Sequence, residues 1–374
     1  MAVIDRGRDG ARRRFSLVSL FETMATPHAL DRYLELVDPM TTVRDLRGRV
    51  ESVVRSTPDT VTMTIRPTRQ WKGFRAGQYV QVGVVIDGVR HTRCYSPAGA
   101  ANGGRGVVER NGAIELTVKA HPDGLVSQYL HRNAEPGLMV NLSQAAGEFV
   151  LPSPRPDRIL LISGGSGITP LMSMLRTLVA EGHTGNVAFL HYAYTENDVA
   201  YRAQLDEIAA DPRIDIVYAY TDDPEGGRLS GFFGKHHLDE VAPWFADGQT
   251  YLCGPPGLMR GVRDTYRELG IEDRLHTEEF APAGTAVDGE AGGTLSFTSS
   301  GVTAENGGKT LLEQAEAAGL TPEYGCRMGI CFSCTSTKTS GCTKNVRTGE
   351  MDAEPNKQIQ LCVSVPVGDV SVDI

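Results

Sequence analysis

At 374 residues, 40% hydrophobic and 22% charged, the chain is globular rather than disordered and too long for one ordinary domain. Its 37 Lys and Arg against 46 Asp and Glu leave a formal charge of −9, which disfavours nucleic acid and suits a basic protein face as partner.

Arg12, Arg13 and Arg14 precede residues 15–21, an apolar stretch interrupted by Ser16 and Ser19. It is too short and polar for export or spanning, and no other stretch is long and apolar enough. The expected compartment is therefore a reducing cytoplasm, with peripheral membrane contact through this extension left open. Leu30, Tyr33, Leu34 and Val37 recur at helical spacing and Pro39 closes the pattern, so residues 1–45 read as an extension with a helix packed on the next domain.

From Gly48 the period changes to two. Val61, Met63 and Ile65 alternate with threonines; Val80, Val82 and Val84 form a second run, and Ile114, Leu116 and Val118 a third. Asp87-Gly88 and Asn111-Gly112 are turn signals between runs. Short alternating strands at this spacing predict a small antiparallel β-barrel over 46–153. Pro152, Pro154 and Pro156 mark a boundary. Beyond it, residues 158–162, 187–194, 214–220 and 250–253 read as strands, and Leu171, Leu175 and Leu178 as one helix face. That alternation predicts an α/β domain with a parallel, doubly wound sheet over 154–280. Residues 281–291, rich in Ala and Gly, read as a linker, and 292–374 as a small module ending in a strand at 370–374.

Seven cysteines stand at 94, 253, 326, 331, 334, 342 and 362, crowded toward the C-terminus. Without a secretory signal, such crowding points to metal ligation. Cys326, Cys331 and Cys334 are spaced C-x4-C-x2-C, and Cys362 supplies a fourth thiolate. This arrangement holds a plant-type [2Fe–2S] cluster. Three ligands must share a tight loop whose amides turn toward sulfur, which Gly325 and Gly329 permit. The competing readings are free thiols or a zinc site, which usually shows paired C-x2-C on both sides. Cys342 reads as an ordinary thiol.

Residues 324–334 (YGCRMGICFSC) and 361–369 (LCVSVPVGD) resemble the ferredoxin module fused to members of the ferredoxin–NADP reductase superfamily. The resemblance runs from about residue 48 to 374. It implies an FAD-binding antiparallel β-barrel, an α/β nucleotide-binding domain and an α+β, β-grasp ferredoxin domain.

Arg93-Cys94-Tyr95-Ser96 matches the superfamily's R-x-Y-S flavin motif. A guanidinium can pair with phosphate, an aromatic ring can pack on the isoalloxazine, and a hydroxyl can approach its N5 edge. Outside this context Arg93 and Tyr95 would read as an edge-strand arginine and a core tyrosine. By the same resemblance Gly124, Leu125, Val126 and Ser127 contact the diphosphate at a helix N-terminus, which favours FAD over FMN. Pro97, directly after Ser96, departs from the pattern and stiffens the loop.

Residues 163–170 (SGGSGITP) follow a strand and open a helix, the setting in which glycines let a backbone approach a pyrophosphate. The resemblance assigns Gly164, Gly165, Gly167, Thr169 and Pro170 to the nucleotide. It places Thr169 and Cys253 beside the nicotinamide, with Gly254 and Pro255 shaping the opposing loop. A buried small residue is the simpler reading of Cys253. Glu278-Glu279-Phe280 resembles the family's E-x-F, with Phe280 against the isoalloxazine. Ser96, Thr169, Cys253 and Phe280 are thus the candidate catalytic residues. NADPH is the expected donor with NADH open, since Arg202 reads equally as a 2′-phosphate ligand or a surface helix residue. His91, His121, His191 and His276 read as structural.

These parts imply an oxidoreductase. Nicotinamides release electrons in pairs and the cluster takes one at a time, so a flavin must stand between. No further substrate pocket can be read, which points to a protein acceptor. Residues 29–39 (ALDRYLELVDP), with GCRMGICFSC and LCVSVPVGDV, resemble the actinobacterial reductases that serve membrane acyl-CoA desaturases. Two alternatives stay open: the reductase component of a ring-hydroxylating dioxygenase or a steroid or alkane monooxygenase, and a non-catalytic redox sensor.

Overall fold

Three six-stranded sheets follow one another along the chain. The computed structural model describes residues 31, 34–101, 112–122, 124–280 and 292–374. The basic stretch 12–21, Leu30, Tyr33, Asn111 and the linker at 281–291 lie outside the described residues.

The first sheet comprises β1 (Arg47–Thr57), β2 (Thr60–Pro67), β3 (Val80–Ile86), β4 (Val89–Tyr95), β5 (Ile114–Lys119) and β6 (Met139–Leu142). Its order is β4-β3-β6-β1-β2-β5, antiparallel throughout. Alternation in the sequence becomes alternation in space: Val61, Met63, Ile65, Val80, Val82, Val84, Ile114, Leu116 and Val118 all point into one buried core. Asp87 and Gly88, both at positive φ, make the two-residue turn that joins β3 to β4. Helix α1 (Leu125–Asn133) closes this core with Val126 and Leu130.

The second sheet is parallel, in the order β10-β9-β8-β7-β11-β12. Its strands are β7 (Arg158–Gly164), β8 (Asn186–Ala193), β9 (Ile214–Tyr220), β10 (Leu229–Ser230), β11 (Gln249–Cys253) and β12 (Leu275–Glu278). Helices α2 (Ile168–Ala180), α3 (Arg202–Ile208), α4 (Lys235–Val241) and α5 (Pro256–Glu268) connect them. Because β7 has β8 on one side and β11 on the other, the strand order reverses beside β7, and open α/β sheets bind ligands at such a switch point.

Helix α2 also locks the first two sheets together. Ser173 Oγ donates to Gly99 O at 2.7 Å, Arg176 reaches Glu115 at 2.6 Å, and Thr177 Oγ accepts from Ala101 N at 2.9 Å. Apolar packing is continuous across the junction, with Ala98, Phe149 and Leu151 in one cluster with Leu171 and Leu175.

The third sheet is mixed, ordered β14-β13-β18-β15-β16, with β17 on β15. Its strands are β13 (Thr294–Phe297), β14 (Val302–Glu305), β15 (Thr335–Asn345), β16 (Met351–Asp352), β17 (Lys357–Gln360) and β18 (Ser364–Val372). Helix α6 (Leu311–Ala317) lies on it behind a capping box, in which Thr310 and Glu313 satisfy each other's backbone amides.

At the end of the helical pattern, residues 35–37 form a turn with Leu36 84% and Val37 87% exposed, so Val37 itself is not packed. Polar contacts tie this segment down. The Asp31 carboxylate accepts from the amides of Val43, Arg44 and Asp45 at 2.5, 2.9 and 2.8 Å. His191 and His276 each have a partner within the second sheet, the first against Ser163 Oγ at 2.7 Å and the second against Gln249 at 2.8 Å.

Candidate functional site

Parallel register puts Ser163, Cys253 and Glu278 side by side at the C-terminal ends of β7, β11 and β12. The loops that follow interlock without room for side chains. A Cβ on Gly167 would lie 2.2 Å from the Cys253 carbonyl oxygen, and one on Gly164 would lie 2.7 Å from Pro255 Cδ. One on Gly254 would lie 3.0 Å from Gly164 N. Gly165 differs: it holds φ +53 and faces open space. The turn thus presents bare backbone at the head of α2, where helix amides favour a phosphate. Thr169 and Pro170 are buried in the first turn of α2, and Thr169 Oγ donates to Ser166 O at 3.2 Å. Proline costs nothing there, because first-turn amides have no helical partner.

Cys253 is fully buried, and burial, reinforced by Glu278 and Glu279, pushes its thiol pKa well up. Glu278 is pushed up to about 8 by burial, with Arg347 opposing. Its Oε2 is sealed from solvent without a hydrogen-bond partner, and so is Ser96 Oγ. A ligand with polar edges would satisfy both, which fits a flavin between the barrel and this row of strand ends. The sequence reading took Phe280 from the E-x-F match and gave Glu278 no role. Its signal was the first letter of that motif. Phe280 itself is half-buried against the core that α2 shares with the barrel.

On the barrel, β4 ends in the flavin motif. Arg93 donates to Thr92 O at 2.8 Å and lies over the Tyr324 ring, 5.7 Å from its centroid. Tyr95 packs against the barrel core, and burial raises its pKa. Gly124 caps α1 where a Cβ would sit 2.3 Å from Ser127 Oγ. Ser127 closes this loop, donating to Gly124 O at 3.0 Å and accepting from His121 N at 3.1 Å. Leu125 is exposed and Val126 buried at the head of the same helix.

Four of the third domain's five cysteines, Cys326, Cys331, Cys334 and Cys362, lie on one loop and a single turn of 3-10 helix, Leu361–Val363. Arg327, Gly329 and Phe332 hold φ of +57, +70 and +58. This alternation turns amides inward, as concave anion sites require. Cys326 N donates to Cys331 Sγ at 3.1 Å and Met328 N to Cys326 Sγ at 3.3 Å. Cys326 interacts with both Cys331 and Cys362, and Cys362 with Cys334, so the four sulfurs form one group. The bonds from Cys331 and its neighbours hold the Cys326 thiol below its ordinary pKa while raising those of Cys331 and Cys362, and Cys362 draws Cys334 down to about 7. Among the described residues no three His, Cys, Asp or Glu side chains converge on a single metal ion. Four cysteine sulfurs within a nest of amides fit a two-iron cluster. Cys342 stands on β15 opposite Val367.

The barrel and the cluster loop touch. Tyr79 Oη donates to Ile330 O at 2.6 Å, beside the Arg93–Tyr324 contact. Arg202, by contrast, is engaged locally. It pairs with Glu196 at 2.8 Å and Asp206 at 3.0 Å, and lies 4.4 Å from the Tyr218 ring centroid.

Comparison with known proteins agrees with this division of labour. The oxidoreductase FAD-binding domain family matches residues 44–151, the oxidoreductase NAD-binding domain family 161–264, and the 2Fe-2S iron-sulfur cluster binding domain family 297–367. The chain is 38% identical over 356 residues to an NADPH oxidoreductase of Mycobacterium tuberculosis, covering 94% of this chain and 90% of that one. It is 28% identical over 327 residues to a glycine betaine monooxygenase reductase subunit of Pseudomonas aeruginosa, covering 80% and 87%. Phthalate dioxygenase reductase has a similar fold, with a TM-score of 0.60 at 24% identity over 88% of this chain and 98% of that one.

Proposed function

The chain belongs to the ferredoxin–NADP reductase superfamily, in the branch that carries a C-terminal 2Fe-2S domain, and from that premise we propose how its residues serve electron transfer and which acceptor they serve. It is an NAD(P)H-dependent reductase with FAD and a [2Fe–2S] cluster. When bound, these groups take electrons as a pair from the nicotinamide and release them singly.

The protein's part is placement. Gly164, Gly165 and Gly167 bring bare backbone to the nucleotide phosphates, and Thr169, Cys253, Gly254 and Pro255 wall the nicotinamide. Arg93 and the head of α1, from Gly124 to Ser127, hold the FAD phosphates. Tyr95 and Phe280 would pack against the flavin ring, and Ser96 and Glu278 would satisfy its polar edge. Cys326, Cys331, Cys334 and Cys362 would hold the cluster. The observation that carries this reading is the contact of the flavin-binding barrel with the cluster loop, where Tyr79 Oη donates to Ile330 O at 2.6 Å. The residues that would hold the two redox groups are thereby brought side by side.

The acceptor in this reading is a membrane fatty-acyl-CoA desaturase, and NADPH is the donor. The motif resemblance described above supports the first, and the printed name of the mycobacterial relative supports the second. A soluble oxygenase is the second reading, favoured by the relatives named as monooxygenase reductase subunits. Membranes containing a desaturase, supplied with acyl-CoA and NADPH, should desaturate only when this protein is added. Turnover restored by an oxygenase component alone would assign the second acceptor.

A further inference from the structure

The cluster cradle is not built from the third domain alone. Tyr79 precedes β3, pairs backbone to backbone with Ala146, and is buried with its ring against Gly147, where a Cβ would lie 3.1 Å from Tyr79 Cδ1. Its hydroxyl leaves the barrel and donates to the carbonyl of Ile330, the residue before Cys331. One register position away from Val80↔Tyr95, Gln81 pairs with Cys94, so Cys94 is presented from the neighbouring strand. The adjacent Arg93 lies over the Tyr324 ring, 5.7 Å from its centroid and two residues before Cys326. Two contacts from the barrel therefore land on residues 324–330.

We propose that Tyr79 is a positioning residue for the iron–sulfur cluster: from the flavin-binding barrel, its hydroxyl clamps the loop between the first two ligands by holding the Ile330 carbonyl. The inference rests on the reading that Cys326, Cys331, Cys334 and Cys362 hold the cluster. Partners behind the ligands fix their orientation, and that orientation and solvent access tune the potential. A clamp from the flavin-binding barrel makes the cluster loop depend on docking of the two domains. A ferredoxin domain cut free of its barrel would lack this bond.

The test uses the full-length protein purified without air, wild type and Tyr79→Phe. The cluster is followed by electron paramagnetic resonance during a redox titration, and its lifetime is measured against an iron chelator. Tyr79→Phe, which removes only the hydroxyl, should alter the g values and shorten the chelator lifetime several-fold. If the variant keeps the wild-type midpoint, spectrum and lifetime, the proposal is overturned while the cluster stands. A wild-type protein without a [2Fe–2S] signal overturns the cluster reading and the proposal with it.

Discussion

Glu278 holds a carboxyl oxygen that no protein group satisfies, and burial raises its pKa to about 8 against an ordinary 4.5. The sign of its effect follows. Between those values the folded chain binds the proton that the unfolded chain has released, so stability falls as pH rises from about 4.5 to about 8. Flavin-free protein should lose several degrees of melting temperature across that interval, and Glu278→Gln should flatten the loss. An unchanged slope in the variant would remove Glu278 as its source. Arg202 gives a second test at this scale. Its guanidinium already answers two carboxylates, so Arg202→Ala should change KM for NADPH by less than about threefold. A larger rise, seen with NADPH and absent with NADH, would make it the 2′-phosphate ligand. Phe332 is 68% exposed and held at φ +58, where a bulky residue is strained. Phe332→Gly should therefore raise stability by about 1 kcal/mol, read from the denaturant midpoint of cluster bleaching.

Elements succeed where a local period matches a buried face. The alternating valines and isoleucines around residues 61–65, 80–84 and 114–118 were legible because every second side chain enters the barrel core. The motif SGGSGITP was legible because its glycines answer a local demand, a strand turning into a helix. Val37 misled because helical spacing over two turns does not say that anything covers the face. Nor could spacing reveal Lys338, whose side chain is wholly buried on β15 and pairs with Asp352 on β16 at 2.6 Å. Asp352→Ala leaves that ammonium without its carboxylate, a loss of about a few kcal/mol. The cluster domain should unfold at lower urea in the variant, with the barrel's own transition in place. An unshifted cluster transition would show that the pair contributes nothing.

At the scale of the molecule, three segments distant in sequence meet at one place: the end of β4, the strand ends of β7, β11 and β12, and the loop through Cys326. Each motif could be read alone, since each carries its own chemistry within a few residues. Their meeting could not. The contacts of Tyr79 with Ile330 and Arg93 with Tyr324 span more than half the chain, and no local pattern encodes them. Glu278 was obscure for the same reason, since its place in the site depends on strand β11 arriving between β7 and β12.

The most direct measurement is an anaerobic titration of the as-purified protein with NADPH and then dithionite, followed by absorbance and electron paramagnetic resonance. The account predicts uptake of about three electrons per chain, two bleaching a flavin and one raising the signal of a reduced [2Fe–2S] cluster. A flavin that bleaches in a chain holding zinc or no metal at residues 326–362 would contradict it.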